Sequence, residues 1–172
     1  VAVARRGNVM LLLWTGEPTV QALDWVDEKV AAEAASIERG VALQIIDPRA
    51  GPPNAAARAR IQAMYRRELR NGRRLVTAPL GDSLRHSVMR ALVRGMALVA
   101  GRSAHVSVAS TLEDAHAAAL EHAVGVTAEE LSAVVGEMYE ALGVAPDGIA
   151  AQRAALTPPD SDAAREPSGR TG

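Results

Sequence analysis

Two six-residue runs, Val9 to Trp14 and Val41 to Ile46, contain a single polar residue between them, Gln44, and the stretch from Arg74 to Leu80 is apolar after its first residue except at Thr77. A strand without apolar/polar alternation is buried on both faces, which is the condition of a strand inside a parallel sheet covered by helices on each side. The segments between these runs are long enough for helices and carry helical periodicity. Alternating strands and helices imply parallel strands joined by crossovers. The expected fold class is therefore α/β, with a mixed, mainly parallel sheet of four to five strands and helices packed on it.

Along the chain, Val1 to Arg5 alternates weakly and Gly7-Asn8 signals a turn, so the first two strands form a hairpin. Pro18 suits a first helical turn, and Val20, Leu23, Val26, Val30, Ala34 and Ile37 recur at helical spacing until Gly40 stops the helix. Asp47 to Pro53 holds three prolines and a glycine and reads as loop. Asn54 is placed to cap a helix running to about Asn71, with Ile61, Met64, Tyr65 and Leu69 inward. Asp82 or Ser83 caps the next helix, whose inward stripe reads as Leu84, Val88, Leu92, Met96 and Val99. After a strand over Ala104 to Ala109, Ser110-Thr111-Leu-Glu-Asp114 starts a helix with acidic residues in its first turn. Thr127-Ala-Glu-Glu130 has capping-box spacing and opens a last amphipathic helix with Leu131, Val134, Val135, Met138 and Leu142 inward. Residues 144–172, rich in Pro, Ala and Ser, read as a disordered tail.

Charge is segregated. Residues 49–102 hold 12 arginines against Glu68 and Asp82, a net of +10, while residues 1–48 carry −3 and residues 103–172 carry −8. The total of −1 therefore hides a dipolar chain whose field favours association with a charged surface. Arginine outnumbers lysine 18 to 1, a bias of codon-composition type, so arginine density is discounted as a sign of phosphate binding. Nucleic acid is disfavoured on that ground and by the acidic flanks. Trp14, Trp25, Tyr65 and Tyr139 are the whole aromatic complement, too few for a base-stacking platform. The absence of cysteine excludes disulfides and thiolate metal sites and fits a reducing compartment, with cytoplasm as the expected location. Val1 to Arg6 lacks the form of a signal peptide, and no apolar run approaches the roughly 20 residues of a membrane-spanning helix.

The layout resembles the STAS domain of anti-sigma-factor antagonists, in its broad SpoIIAA-like sense. The resemblance is carried by Val41 to Asp47 leading into Ala63-Met-Tyr-Arg-Arg-Glu-Leu69, by Asn71-Gly-Arg-Arg-Leu-Val76 leading into the helix from Ser83, and by Val106-Ser-Val-Ala-Ser-Thr-Leu-Glu-Asp-Ala115. It covers residues 1–124, leaving residues 125–143 as an added acidic amphipathic helix and 144–172 as the tail. What it implies is a non-enzymatic regulatory module that binds a protein partner in a bacterial signalling pathway, with no cofactor. Many members are switched by phosphorylation of a Ser or Thr at the helix start after the third strand. Here that position reads Asp47-Pro48-Arg49-Ala50, and no Ser or Thr occurs from Asp47 up to Thr77.

For docking, Arg58, Arg66 and Arg70 on one helix and His86, Arg90 and Arg94 on the next, each set at spacings that keep it to one side, are the expected basic strip for an acidic partner. The acidic last helix, with Glu129, Glu130, Glu137 and Glu140, is a second match for that strip, in cis or in a homodimer. The alternative function is a small-ligand or anion sensor, possible nucleotides included, built on the loop Asp47 to Asn54 with Asp47, Arg49 and Asn54 at a helix start. Glu113-x-x-His116 and Glu121-His122 are too few for a metal centre, and Asp82-Ser83 with His86 reads as a helix start rather than a catalytic set.

Overall fold

The computed structural model describes residues 1–34, 40–99 and 103–145. The expected tail apart from Val144 and Ala145, and Ile37 of the first expected helix, lie outside the described residues. The elements are β1 (Ala2–Arg6), β2 (Val9–Trp14), α1 (Val20–Ala34), β3 (Val41–Ile46), α2 (Ala55–Arg70), β4 (Arg74–Pro79), α3 (Leu84–Val99), a 3-10 turn (Ser103–His105), β5 (Val106–Val108), α4 (Leu112–Leu120) and α5 (Ala128–Ala141). They form an α/β fold around a five-stranded sheet in the order β1-β2-β3-β4-β5. β1 and β2 pair antiparallel as a hairpin, and every other neighbouring pair is parallel.

The two-faced burial expected from the apolar runs is present. In β2 all six residues are buried, Val9, Leu11 and Leu13 toward one core and Met10, Leu12 and Trp14 toward the other. Register carries the same division across the sheet, as in the row Leu11, Leu43, Val76 on one face and the row Leu12, Gln44, Thr77 on the other. Each parallel connection advances one strand in the same direction, and right-handed crossovers of that kind place all their helices on one face. α1, α2 and α3 accordingly bury Leu23, Val26, Val30, Ile61, Tyr65, Leu69, Val93 and Met96 against Met10, Leu12 and Leu75. α4 and α5 close the opposite face through Leu112, Ala115, Ala119, Leu131, Val135, Met138 and Tyr139.

Local capping matches the expected starts of α2, α4 and α5. Asn54 accepts from the Ala57 N–H at 2.9 Å, Thr111 accepts from Asp114, and Thr127 and Glu130 form a reciprocal capping box. The inward stripe of α3 is corrected: Met89, Val93, Met96 and Ala97 are buried, Leu92 is half-buried, and Leu84, Val88 and Val99 are exposed. The cause is geometric. Successive i, i+4 steps turn about 400°, so a row of them drifts about 40° per step around the helix and cannot stay on one buried face for four turns.

The added helix α5 shares the core of the rest of the chain, with Leu131 fully buried beneath it. Leu131→Ala is expected to cost about 2 to 5 kcal/mol in urea unfolding followed by far-UV circular dichroism, with one cooperative transition. A midpoint equal to that of the parent would mean that α5 is an appendage.

Candidate functional site

In sheets of this type, loops at the carboxyl ends of the parallel strands gather the chain's polar residues. Here the loop after β3 is drawn into the fold. Asp47 is 1% exposed. Its Oδ1 accepts from the Arg49 backbone N–H at 2.9 Å and from Arg49 Nε at 2.7 Å, and its Oδ2 accepts from Arg49 Nη2 and from the Tyr139 hydroxyl, both at 2.9 Å. Arg49 also donates to the Ala145 carbonyl at 2.9 Å. Burial pushes the Asp47 carboxyl up, but the donors from Arg49 and Tyr139 outweigh it and hold the group below its ordinary value. Asn54 spends its side chain on the α2 cap. The three residues expected to form a ligand site at this loop are thus engaged within the chain, and Asp47, through Tyr139, ties β3 to α5.

α3 grips the same loop from its other side. His86 Nε2 lies 3.3 Å from the Pro48 carbonyl and its Nδ1 lies 2.8 Å from Ser83 Oγ. Donation from Nε2 to Pro48 leaves Nδ1 to accept from Ser83, so His86 bridges the helix start to the loop. Gly81, at φ +108°, leaves room for the ring, since a Cβ there would fall 2.6 Å from His86 Nδ1. Arg90 donates to the Pro79 and Gly81 carbonyls at 3.1 and 2.9 Å, and Arg85 donates to Ala50 O at 2.7 Å. Ser83 and His86 lie outside the lining of two cavities found in the layer between the sheet and α1–α3.

The six expected docking residues therefore divide. Arg58, Arg66 and Arg70 are exposed on α2, and Arg94 is exposed on α3. His86 and Arg90 are half-buried and bonded to backbone carbonyls. The groove between α2 and α3 is walled on the α3 side by Met89, Leu92, Val93 and Met96, and by helical geometry His86, Arg90 and Arg94 leave the flank of α3 away from it. The two arginine sets do not merge into one strip. α5 lies across the sheet from both, and its Glu130 pairs with Arg6, whose salt bridge holds that carboxylate below its usual range.

What the structure places between the arginines is apolar. Leu84, Val88, Leu98 and Val99 are 81%, 60%, 69% and 65% exposed, and with Ala91 and Gly95 they form a continuous outward stripe on α3. The open space above Gly95 makes a notch in the stripe. Sequence reading missed this surface because it assigned Leu84, Val88 and Val99 to the core. The signal that separates the faces is the competing row Met89, Val93, Met96, Ala97, which is as apolar as the first.

Two other clusters complete the picture. Arg60 pairs with Asp24 and Asp27, and Arg67 pairs with Asp27 and Glu68, joining α1 to α2. Arg67 and, to a smaller extent, Arg60 keep the Asp27 carboxyl below its ordinary value against the opposing effect of burial. His116 is buried in α4 with its Nδ1 3.4 Å from Ser132 Oγ, and burial lowers its pKa. Among the described residues no three His, Asp or Glu side chains surround a common point suited to a metal ion.

No protein-family model matches this chain, and no curated protein matches it.

The Asp47 cluster predicts a pH signature. A carboxyl whose pKa is depressed by folding contributes stability that is complete above its unfolded value of about 3.9 and is lost as pH falls through its folded value. Asp47→Asn is expected to lower stability by about 1 to 3 kcal/mol at pH 7. The gap between parent and variant should close as pH drops below about 4, read from urea midpoints of both proteins across the series. A gap independent of pH would show that the charge of Asp47 contributes nothing.

Proposed function

We propose that this chain is a non-enzymatic regulatory module of STAS-like type, acting in the cytoplasm in a bacterial signalling pathway by docking a partner protein on the outward face of α3. The observation that carries the reading is the stripe Leu84, Val88, Ala91, Gly95, Leu98, which leaves four large apolar side chains, Val99 included, mostly in water. Burying each would contribute about 1.5 to 3 kcal/mol. A glycine inside an exposed helix costs about 1 kcal/mol relative to alanine, and the notch at Gly95 is where a second helix can approach closely.

Charge selects the occupant. α3 carries Arg85, Arg90 and Arg94 and no acidic residue. Arg94 stands beside the stripe, and Arg58, Arg66 and Arg70 are exposed on the neighbouring helix. The partner is an amphipathic helix with apolar anchors on one side and acidic residues beside them. A second copy suits the surface poorly, because two α3 helices would oppose like charges. The outward face of α5, through Glu129, Ser132, Ala133, Glu137 and Glu140, offers acid without an apolar anchor. The order of elements supports the STAS-like reading, and the lack of Ser and Thr in the loop after β3 argues for control by binding rather than by phosphorylation there.

The test is a photo-crosslinker, benzoylphenylalanine, at Ala91 in cells of the source, with the trapped peptides mapped by mass spectrometry. The expected product joins α3 to an acidic amphipathic helix of one protein. Val88→Glu and Gly95→Leu should each reduce binding of that protein at least tenfold, and Arg94→Glu should reduce it less and mainly at low salt. Crosslinks to phospholipid or to another copy of the chain, or capture indifferent to Val88→Glu, would overturn the reading.

A further inference from the structure

A cavity of about 60 Å³ lies between the sheet and the α1–α2 pair, away from the docking face, and reaches the amino ends of β2, β3 and β4 at Asn8, Gly40 and Arg73. It lies where β3 presents a small residue, Ala42, and a polar one, Gln44, to this face. Ala42 sits beside Met10 and Leu75, and Gln44 sits between Leu12 and Thr77. Its walls are almost wholly apolar, with Leu23 and Val30 from α1 and Ile61 and Met64 from α2. At about 10 to 15 Å³ per water-sized unit, it has room for four to six such units.

The floor is not what an unused void requires. Tyr65 donates its hydroxyl to Gln44 Oε1 at 2.7 Å and lies 3.1 Å from Thr77 Oγ1. Tyr65 and Thr77 are buried, and burial raises the Tyr65 pKa to about 12, so it stays a neutral donor. The trio satisfies the Gln44 oxygen and makes no use of its amide N–H groups. Trp14 borders this cavity and the neighbouring one between α2 and α3, and its indole Nε1–H, enclosed by the surrounding protein, has no acceptor among the described residues. The Gln44 amide is left as a donor without an acceptor on the wall of an apolar chamber. The charges at its rim are already matched, Arg67 with Asp27 and Glu68, and Arg73 with Glu68, so an ionic ligand finds no unpaired counter-charge there.

We propose that this cavity binds a small uncharged molecule of about four to six non-hydrogen atoms, apolar except for one hydrogen-bond acceptor oxygen, such as a short-chain ketone, aldehyde or ester, with the oxygen directed to the Gln44 amide. Apolar burial holds the ligand, and the Gln44 donor orients it. The inference is independent of the α3 surface.

The probe is 2-butanone, titrated into the ¹⁵N- and methyl-¹³C-labelled full chain, with xenon as a probe of similar apolar character and no acceptor. Expected are saturable shifts of the Trp14 indole N–H and of the Leu12, Leu23 and Ile61 methyl signals, with Trp25 unmoved. Gln44→Leu should weaken 2-butanone about tenfold and leave xenon binding unchanged, and Ala42→Leu should weaken both. The methyl spectrum of each variant reports whether it is folded, and Gln44→Leu alone decides the matter if Ala42→Leu is not. Absence of saturable shifts in the parent, or equal loss of xenon and 2-butanone in Gln44→Leu, would overturn the proposal.

Discussion

The sheet is apolar on both faces, yet its parallel strands are laid down in a single direction, and the rest of the fold answers that conflict. Crossovers of one hand between strands that always advance the same way deliver every connecting helix to the same side. The face bearing Leu11, Leu13, Leu43, Ile45 and Val76 would then be left to water. At about 1.5 to 3 kcal/mol for each large side chain, the loss would match the whole stability of a typical domain, about 5 to 15 kcal/mol. α4 and α5 supply the missing layer. α5 is for this reason a structural requirement of the fold.

Having α5 on that face also explains why a carboxylate is tolerated in the interior at the end of β3. Asp47 is the first residue after the strand, its N–H is held by the Trp14 carbonyl at 2.8 Å, and its side chain is reached by Tyr139 from the helix across the face. A buried carboxylate is costly unless its lone pairs are filled. Arg49 fills three of the contacts and Tyr139 a fourth. The proline-rich loop is thereby fixed between α5 on one side and His86 and Arg85 of α3 on the other. The segment that the sequence offers as a ligand loop is the joint through which the two layers meet.

Much of this architecture was legible in the residues because it rests on local rules. The unbroken apolar runs specified strands buried on both faces, and Asn54, Thr111 and Thr127 specified helix starts. Facing was less legible. α3 is apolar around most of its circumference, so two rows compete for the core, and the choice between Leu84/Val88 and Met89/Val93 is made by the position of β4 and β5 rather than by the helix itself. Long-range polar pairing was invisible for a similar reason. Tyr139 and Asp47 are 92 residues apart, and Gln44 and Tyr65 are 21 apart, so no periodicity connects them. Gln44 did stand out as the polar residue within an apolar run, and that anomaly marks the cavity floor.

α3 ends its layer: α1 adjoins α2, α2 adjoins α3, and among the described residues no helix lies beyond α3 on that face. Its outer flank borders β5, a three-residue edge strand. A terminal helix is expected to carry polar residues on the flank that lacks a neighbour, and α3 does so with Arg90 and Arg94. Edge position does not account for the apolar stripe, because the outward side of a helix faces solvent whether or not it has neighbours. α2 shows the contrast, since its exposed positions are Arg58, Arg66, Arg70 and alanines. The leucines and valines of α3 therefore exceed what packing in this chain requires. Their place on a helix whose first half is pinned to backbone carbonyls by His86 and Arg90 gives a surface with little backbone ordering cost left to meet on association.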